Sequence, residues 1–464
     1  MTSQAERYDL LILGSGEAGK YLAWTMGKAG QRCAVVERKL IGGSCPNINC
    51  LPSKNEIWSA EVARLVREAR RFGVETGPVE VDMKRVVARK RDMVDGQIAT
   101  HLELYKASGA ELIMGSGRFV APKTLEVSLN AGGTRQLTSD RIVLNLGTHA
   151  TIPATPGLAA AAPLTHIEAL ELDRLPEHLV VLGGGYVGLE LAQAYRRFGS
   201  RVSIVEPGPQ LASREDGDVA AAILEALSEE GIEVHLETRL QGVEGRSGRS
   251  VTLRTRTRGG ERSIACSDIL VAVGRTPNTQ GIGLDVAGVQ LDDRGYIATN
   301  DRLETSAPGI WAVGEVAGSP QFTHVAHDDF RIVHAALTGG ARSRRGRLVP
   351  YCMFTDPPLA RVGLSETEAR RQGIAFRVAK LPMARVLRAI TIADTRGFMK
   401  VLVGAEDDRI LGFAMIGPEA GEVMSVVQTA MLAGMPFTGL RDAIIAHPTM
   451  TEGLRSLFSS LPQR

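Results

Sequence analysis

The chain has 464 residues, of which 44% are hydrophobic and 23% are charged, as in a globular protein that buries sizeable cores. This length predicts about two to four domains, and the composition argues against disorder. The formal net charge of only +2 argues against a nucleic-acid partner, and no stretch reaches the roughly 20 apolar residues of a membrane-spanning helix.

The N-terminal stretch MTSQAERYDLLILGSG has a short apolar run that leads directly into glycines, without the basic region and cleavage site of a signal peptide. We therefore expect a cytoplasmic protein with no membrane association. Cellular thiols keep cytoplasmic cysteines reduced, so lasting structural disulfides are disfavoured there. A close pair of cysteines is then expected to be catalytic or metal-binding.

The first predicted unit is a strand, a glycine turn, a helix and a second strand. Residues 8–13 read as a buried strand, a helix is expected to about residue 30, and residues 33–36 form a strand that ends at Glu37. The turn carries Gly14, Gly16 and Gly19. In this order, glycines let a pyrophosphate approach the backbone and the helix N-terminus, and the acid accepts hydrogen bonds from a ribose. The pattern predicts a dinucleotide-binding unit.

The same pattern recurs in the middle of the chain. Residues 179–182 read as a strand, a helix is expected to about residue 199, and residues 202–205 lead to Glu206. The turn carries Gly183, Gly185 and Gly188. From first glycine to acid the two copies span the same 23 positions, 14 to 37 and 183 to 206. Two such folds predict two different dinucleotides that exchange electrons; the alternative is that one copy is only a structural module.

The segments around these units are rich in predicted strands. Residues 124–129, 136–144 and 250–255 read as antiparallel strands, and the glycine and proline cluster at 153–157 marks a crossover. Residues 310–315 read as a buried strand that returns the chain to the first unit. The basic run 342–347 is expected to be a solvated connector rather than a nucleic-acid site.

After residue 347 the pattern changes, with strands expected around residues 351–354 and 397–403 and a helix near 421–433. The sequence thus predicts an α/β protein with two Rossmann-like dinucleotide-binding domains and a C-terminal α+β domain. We place the first domain at residues 1–149 and 278–345, the second at 150–277 and the third at 346–464.

Cys45 and Cys50 lie in the stretch GGSCPNINCLPSK. A metal clip needs about four ligands, and no second cysteine or histidine pair at metal spacing lies nearby, which favours redox work. On a regular helix, residues five apart face different sides, whereas a disulfide needs Cα atoms within about 7 Å. Pro46 and Asn49 are therefore expected to mark a distorted first turn. A helix N-terminus there also lowers the pKa of a thiol.

Seven motifs spread over essentially the whole chain resemble class I pyridine nucleotide-disulfide oxidoreductases, the family of dihydrolipoamide dehydrogenase, glutathione reductase and mercuric reductase. These motifs are GSGEAG, GGSCPNINCLPSK, GGGYVGLE, VAVGRTPN, PGIWAVGEV, FTDPPLARVG and HPTMTE. The resemblance implies FAD on the first domain and NAD(P)H on the second. It also implies that the third is an interface (dimerisation) domain, through which each active site of a homodimer is built from two subunits.

The resemblance assigns catalytic roles to single residues. It implies that Cys45 is the exposed interchange thiol and that Cys50 contacts the flavin. His447 matches the base that ionises the attacking thiol, and Glu452 matches the carboxylate that orients it. Without the resemblance, a His-Pro pair near the C-terminus reads as structural.

Further positions match the family's cofactor sites. Lys54 and Glu190 correspond to a buried ion pair beside the flavin, and Tyr186 corresponds to a ring that gates the nicotinamide pocket. Glu315 stands where an aspartate usually faces the flavin ribityl chain, a change of one methylene. Besides the two glycine turns with Glu37 and Glu206, cofactor contacts are expected at Gly43, Ser44, Lys54, Gly147 and Gly274. No metal site is expected.

Within the family, the stretches FTHVAHDDFRIV and HPTMTEGLRSLF resemble a bacterial branch that is labelled mercuric-reductase-like and includes reductases of hypothiocyanous acid. Asn49 stands where the family usually has glycine; because asparagine tolerates a left-handed backbone, the turn is expected to survive. Ile445 replaces the histidine that dihydrolipoamide dehydrogenases commonly carry. The last dozen residues hold no second cysteine pair of the kind that mercuric reductases use.

The sequence therefore predicts a flavoenzyme that passes electrons from NAD(P)H through FAD to a disulfide between Cys45 and Cys50, and on to a small disulfide or thiol-reactive oxidant. Glu206 would repel a 2′-phosphate, so NADH is expected to be preferred over NADPH, with Arg214 close enough to temper the repulsion. Three alternatives stay open: a dihydrolipoamide dehydrogenase, a mercuric-reductase-like protein, and a flavoprotein sensor or scaffold without turnover. The other cysteines, Cys33, Cys266 and Cys352, are expected to be small hydrophobes.

Overall fold

The computed structural model describes residues 5–463. The first part of the chain alternates strands with helices and then continues as a strand meander. In chain order its elements are β1 (Glu6–Arg7), β2 (Leu10–Leu13), α1 (Glu17–Lys28), β3 (Cys33–Glu37), α2 (Ser44–Asn47), α3 (Cys50–Glu68), α4 (Met83–Ser108), β4 (Glu111–Ala121), β5 (Thr124–Leu129), β6 (Thr134–Thr138), β7 (Ile142–Leu144) and β8 (Thr148–Ala150). A short 3-10 helix, Ala69–Phe72, follows α3.

The middle part of the chain repeats the strand-helix-strand order and adds an antiparallel insertion. Its elements are α5 (His166–Ala169), β9 (His178–Leu182), α6 (Tyr186–Phe198), β10 (Arg201–Val205), α7 (Gly217–Glu229), β11 (Glu233–His235), β12 (Arg239–Arg246), β13 (Ser250–Thr257), β14 (Gly260–Cys266), β15 (Asp268–Val271) and β16 (Arg275–Pro277).

The last part returns once to the first sheet and then builds a separate one. Its elements are β17 (Ile310–Ala312), α8 (Thr323–Leu337), β18 (Tyr351–Met353), β19 (Leu359–Gly363), α9 (Glu366–Arg371), β20 (Phe376–Pro382), α10 (Leu387–Thr391), β21 (Phe398–Gly404), β22 (Ile410–Ile416), α11 (Ala420–Leu432), α12 (Phe437–Arg441) and α13 (Gly453–Ser459). Two 3-10 helices, Gly314–Ala317 and Met383–Arg385, lie between them.

The first unit is built on an eight-stranded sheet in the order β1-β6-β5-β4-β3-β2-β7-β17. Strands β4, β3, β2, β7 and β17 run parallel, whereas β5 pairs antiparallel with both β4 and β6. Every residue of β2, β3 and β7 is buried, as expected for parallel strands covered on both faces. The carboxyl ends of β2 and β3 therefore meet at one edge, where the first glycine turn and Glu37 lie.

The second and third units have smaller sheets. In the second unit, four parallel strands in the order β11-β10-β9-β15 are accompanied by the antiparallel sheet β12-β13-β14. The third unit is the five-stranded antiparallel sheet β18-β19-β22-β21-β20, with α11 packed against β19 and β22. Within the described residues, no helix has both the length and the apolar character to cross a membrane.

Most predicted strands and helices are confirmed, and one segment is wrong. Residues 124–129 form β5, and residues 250–255 lie within the antiparallel strand β13. The stretch 136–144 was expected to be one antiparallel strand, but it divides. Its first half belongs to β6, and its second half is β7, which pairs parallel with β2 and β17. Ser139 and Asp140 interrupt the pairing, and the apolar triplet after them joins the central sheet.

The basic run at 342–347 is a connector without helix or strand, but it is not simply solvated. Arg347 is only 13% exposed and lies 2.7 Å from the fully buried carboxylate of Asp329 on α8. Arg345 is 84% exposed and lies 3.0 Å from Asp301. The predicted connector is thus confirmed, and the acids of α8 and of the preceding loop pair with its arginines.

Candidate active site

The two glycine turns fold alike. In the first unit, Glu37 accepts a hydrogen bond from the backbone N–H of Ser15 at 2.9 Å; in the second, Glu206 accepts one from the backbone N–H of Gly184 at 2.7 Å. A Cβ at the third glycine of either turn would lie 2.5 Å from the carbonyl oxygen of the first glycine. Helix and strand can approach this closely only without a side chain, as the dinucleotide fold requires.

The backbone beside these turns faces open space. A Cβ added at Gly147, Gly185 or Gly274 would meet no atom within 4 Å. Gly185 precedes the first residue of α6, where free N–H groups attract phosphate. An extended dinucleotide therefore fits against both units, and its individual contacts with these glycines stay a prediction.

The acids at the ends of the second strands are held by their own chain. Glu37 is buried; one oxygen accepts from Ser15, and the other accepts from the N–H groups of Lys39 and Leu40. The two oxygens of Glu206 accept from Gly184 and Gly208. These bonds fix each carboxylate at its strand end, where a ribose hydroxyl would be an added donor.

The two cysteines lie on either side of a helix break. Cys45 belongs to α2, Cys50 is the first residue of α3, and Ile48 and Asn49 separate the helices. The distorted turn that Pro46 and Asn49 predicted is confirmed. The left-handed backbone is not: Asn49 has φ −128° and ψ −101°. The turn instead draws its positive φ angles from Gly42 and Gly43, where the chain passes over Gly16.

The two thiols differ in their electrostatic surroundings. Both are free thiols in this structure, which corresponds to the reduced form of the predicted pair. The pKa of Cys50 is lowered to about 6, because Cys45 and Thr323 hydrogen-bond to its thiolate and Lys54 adds a positive charge. The Thr323 hydroxyl lies 3.2 Å from the Cys50 sulfur. The pKa of Cys45 is raised, because its thiol donates to Cys50 and is itself buried.

Lys54 and Glu190 join the first unit to the second. The Lys54 ammonium lies 2.7 Å from one oxygen of Glu190, and the other oxygen accepts a hydrogen bond from the backbone of Phe354 at 2.8 Å. Lys54 also lies 4.7 Å from the centre of the Phe354 ring. Because Lys54 is one turn beyond Cys50 on α3, its ammonium places a positive charge beside Cys50.

Glu315 lies at the entrance to the short 3-10 helix after β17. Its carboxylate accepts a hydrogen bond from the Thr148 hydroxyl and lies 3.2 Å from Nε of Arg275. Gly147 precedes Thr148, so two of the predicted cofactor positions are adjacent in space. Ser44 begins α2 directly before Cys45. Contact of Glu315, Gly43 and Ser44 with a cofactor stays a prediction.

His447 and Glu452 form the predicted pair but stand apart from the thiols. His447 Nδ1 lies 3.0 Å from Glu452 Oε2, and the two side chains are 61% and 21% exposed. Within the described part of the chain, no hydrogen bond joins His447 to Cys45 or Cys50. The neighbouring Ile444 is fully exposed. His447 thus lies on an open surface of the third unit, with Glu452 partly buried beside it.

Tyr186 is fixed by a carboxylate that the sequence did not single out. Its hydroxyl donates to Glu215 at 2.5 Å, and the hydroxyl of Tyr351 donates to the same oxygen at 2.8 Å. Burial and the charge of Glu215 raise the pKa of Tyr186. Thr323 was also missed as a site residue: it lies in FTHVAHDDFRIV, which served only as a family marker, and its contact with Cys50 spans 273 positions.

The remaining cysteines are poor nucleophiles. Burial raises the pKa of Cys33 and of Cys266 to about 12, and that of Cys352 to about 11. Cys33 and Cys266 are buried, whereas Cys352 is only partly so. None of the three competes with the Cys45 and Cys50 pair for thiolate chemistry.

One group of acids in the described structure has metal-ligand spacing, and a lysine fills it. Asp216, Asp218 and Glu366 lie together. The ammonium of Lys400 lies between 2.8 and 3.1 Å from all three carboxylates. This is an ion-pair cluster between the second and third units.

Comparison with known proteins identifies both halves of the chain. A family model described as pyridine nucleotide-disulphide oxidoreductase matches residues 8–329, and the model of that family's dimerisation domain matches residues 349–458. The probable pyridine nucleotide-disulfide oxidoreductase RclA of Escherichia coli is 34% identical over 98% of this chain and 99% of its own. The dihydrolipoyl dehydrogenase of Thermus scotoductus is 35% identical, over 98% and 97%.

A mercuric reductase and a solved structure are similar over nearly the whole chain. The mercuric reductase of Streptomyces lividans is 34% identical over 97% of this chain and 95% of its own. A solved structure described as the HOCl-induced flavoprotein disulfide reductase RclA from Escherichia coli superposes with a TM-score of 0.88 at 33% identity, covering 98% of this chain and 100% of that one. Sequence identity alone therefore does not separate a flavoprotein disulfide reductase, a dihydrolipoyl dehydrogenase and a mercuric reductase.

Proposed function

Because the chain belongs to the pyridine nucleotide-disulphide oxidoreductase family, whose members use FAD and NAD(P)H and act on sulfur groups, we propose that Cys45 and Cys50 carry the electrons to a small substrate. The family resemblance of the seven motifs is confirmed by this membership. The proposal rests on one observation: two cysteines bracket a helix break beside Lys54, and the pKa of one of them is lowered to about 6.

Bound FAD supplies the two-electron transfer between NAD(P)H and the cysteine pair. Lys54 and Glu190 lie beside Cys50. Glu37 and Glu315 would contact bound FAD, and Glu206 would contact the bound nicotinamide nucleotide. We also infer that the chain has the three domains at the bounds predicted from the sequence. The pairing of β17 with β7 supports a first domain that is formed by two separate segments of the chain. A cytoplasmic location stays a prediction.

The reaction then proceeds on this chain's own sulfur atoms. His447 takes the proton of Cys45, and the resulting thiolate attacks one sulfur of a substrate disulfide and expels the other, which takes that proton back from His447. The Cys50 thiolate attacks the sulfur of Cys45 in this mixed disulfide and expels the second sulfur as a thiolate, which takes a proton from solvent; the disulfide of the pair is restored. One substrate disulfide thus yields two thiols. The two electrons come from Cys45 and Cys50, which become a disulfide.

The third unit is a dimerisation domain, and we propose that it completes the active site of a second subunit in a homodimer. His447 is exposed and Glu452 is partly buried beside it, and in the described structure neither hydrogen-bonds to the cysteines of its own chain, which supports this arrangement. A base contributed by the partner would face Cys45 only when two chains associate.

For the substrate, we propose a small disulfide or thiol-reactive oxidant. The similarity to a reductase described as HOCl-induced supports this class. A dihydrolipoamide dehydrogenase is the second candidate, since the Thermus scotoductus relative is equally similar. Ile445, where such enzymes commonly have histidine, weighs against it.

Steady-state kinetics of the purified holoenzyme test the choice of substrate. We expect NADH oxidation to be faster with hypothiocyanous acid or a small disulfide than with lipoamide or mercuric ion. NAD-dependent oxidation of dihydrolipoamide that exceeds every oxidant tested would favour the second candidate. A Cys45→Ser variant should lose all of these activities while keeping its flavin.

A further inference from the structure

Tyr186 is held in place by a buried carboxylate of its own unit. The phenol donates to Oε1 of Glu215 at 2.5 Å, and the Glu215 side chain is 1% exposed. Tyr351 donates to the same oxygen at 2.8 Å, and Arg361 lies 3.4 Å from the other oxygen. Two partners from the third unit therefore fix Glu215 independently of Tyr186.

The ring of Tyr186 stands at the junction of all three units. Tyr186 and Glu190 are one turn apart on the same face of α6, and Glu190 pairs with Lys54 of the first unit. On its other side, Tyr186 lies 5.9 Å from the ring of Tyr351, which stacks on Phe322 of the first unit. The ring thus lies at the junction where, in the function proposed above, a nicotinamide and a flavin would meet.

We propose that Glu215 is the latch of the nicotinamide gate, and that it holds the Tyr186 ring in the closed position. This inference rests on the function proposed above. A nucleotide that must displace the ring has to break one hydrogen bond to a buried carboxylate, so its apparent affinity is reduced by the fraction of molecules with an open gate. Because Tyr351 and Arg361 keep Glu215 in place, the phenol meets the same acceptor when the nucleotide leaves.

The test removes the hydrogen bond and keeps the ring. In the Tyr186→Phe holoenzyme, stopped-flow reduction of the flavin should reach half its limiting rate at a roughly tenfold lower NADH concentration, the scale of one hydrogen bond to a charged group. Calorimetry with NAD⁺, which cannot reduce the flavin, should show the same tightening. Glu215→Gln should act in the same direction, and the double variant should add little to either single change.

Tyr351→Phe is the matched control, because it takes the other phenol from the same carboxylate oxygen and keeps the neighbouring ring. It leaves Arg361 to hold Glu215 and leaves Tyr186 with its own hydrogen bond. Its half-saturating NADH concentration should equal that of the wild type. Unchanged or weaker nucleotide binding in Tyr186→Phe would overturn the latch alone, as would equal tightening in Tyr351→Phe. A wild-type holoenzyme that NADH does not reduce would overturn the proposed function and the latch with it.

Discussion

At the scale of single residues, the two thiols of the cysteine pair differ in pKa because their neighbours differ. Cys50 receives hydrogen bonds from Cys45 and Thr323 and the positive charge of Lys54, and all three favour its thiolate over burial, which opposes it. Cys45 gives up its proton less readily, because it is the donor to that thiolate. A flavin beside Cys50 would therefore meet a negative charge near neutral pH.

This asymmetry predicts different spectra for the two serine variants. Two-electron reduction of the holoenzyme without oxygen should give a long-wavelength charge-transfer band, because the Cys50 thiolate would lie against the oxidised flavin. Cys50→Ser should abolish the band. Cys45→Ser has no disulfide to reduce, so its Cys50 thiolate should give the band already in the oxidised enzyme, before reductant is added. Absorbance measured during anaerobic titration checks this, and the opposite pattern would mean that the two roles are reversed.

Thr323 should set the pH at which that thiolate forms. The pKa of Cys50 is lowered to about 6, so the thiolate is present above this pH and is lost as the pH falls through it. Thr323→Val removes a hydrogen bond to a charged group, worth about 1.5–3 kcal/mol, and should move the midpoint up by about one to two pH units. A pH titration of the charge-transfer band measures this. Thr323→Ser keeps the hydroxyl and should keep the midpoint; an unmoved midpoint in Thr323→Val would contradict the argument.

Glu206 should make the enzyme prefer NADH. Its carboxylate is fixed by the N–H groups of Gly184 and Gly208 at the strand end, where it would accept from a 2′-hydroxyl and repel a 2′-phosphate. We expect kcat/KM to be higher for NADH than for NADPH, and Glu206→Gln to shift the ratio about tenfold toward NADPH. Glu37→Gln, the equivalent change in the first unit, should leave the ratio unchanged. Equal or better activity of the wild type with NADPH would defeat the prediction.

At the scale of helices and strands, the sequence pattern predicts an element correctly where the signals for that element lie close together in the sequence. The two strand-turn-helix units were predicted because burial of parallel strands and the glycine spacing are both local signals. The segment 136–144 was misread because its alternating half and its apolar half are contiguous in sequence but join different parts of the sheet. Thr323 and Glu215 are the two site residues that were not predicted. They contact residues far away in the sequence, and local periodicity carries no signal of such contacts.

The connector between α8 and β18 should depend on one of its arginines. Arg347→Ala would leave the fully buried Asp329 without its cation, which costs about 3–5 kcal/mol for a broken buried pair. Arg345→Ala removes a largely exposed cation of the same run and should change stability by at most about 1 kcal/mol. Thermal unfolding of the two holoenzyme variants measures the difference, and similar losses in both would count against a buried role for Arg347.

At the scale of the whole molecule, three units converge on one junction. Lys54 of the first unit pairs with Glu190 of the second, whose other oxygen binds the backbone of Phe354 in the third. Cys50 and Thr323 lie on the first unit's side of the junction, and Tyr186 and Glu215 lie on the second unit's side. Each unit thus contributes to the surroundings of the cysteine pair. His447 of the third unit, in contrast, is exposed and lies apart from the pair.

This exposed histidine leads to the last prediction. If His447 serves Cys45 of the partner subunit, a Cys45→Ser homodimer and a His447→Ala homodimer should each be inactive or nearly so. Heterodimers formed by unfolding and reassembling the two together would contain one site with both residues intact. The mixture should therefore regain up to about a quarter of wild-type activity, since random pairing makes half the molecules heterodimers with one complete site each. A mixture of Cys45→Ser with Cys50→Ser is the control, because one chain supplies both cysteines of a site and every pairing leaves each site with one cysteine replaced. Activity in a stable monomer, or no recovery despite heterodimers seen by mass spectrometry, would show that each chain supplies its own base.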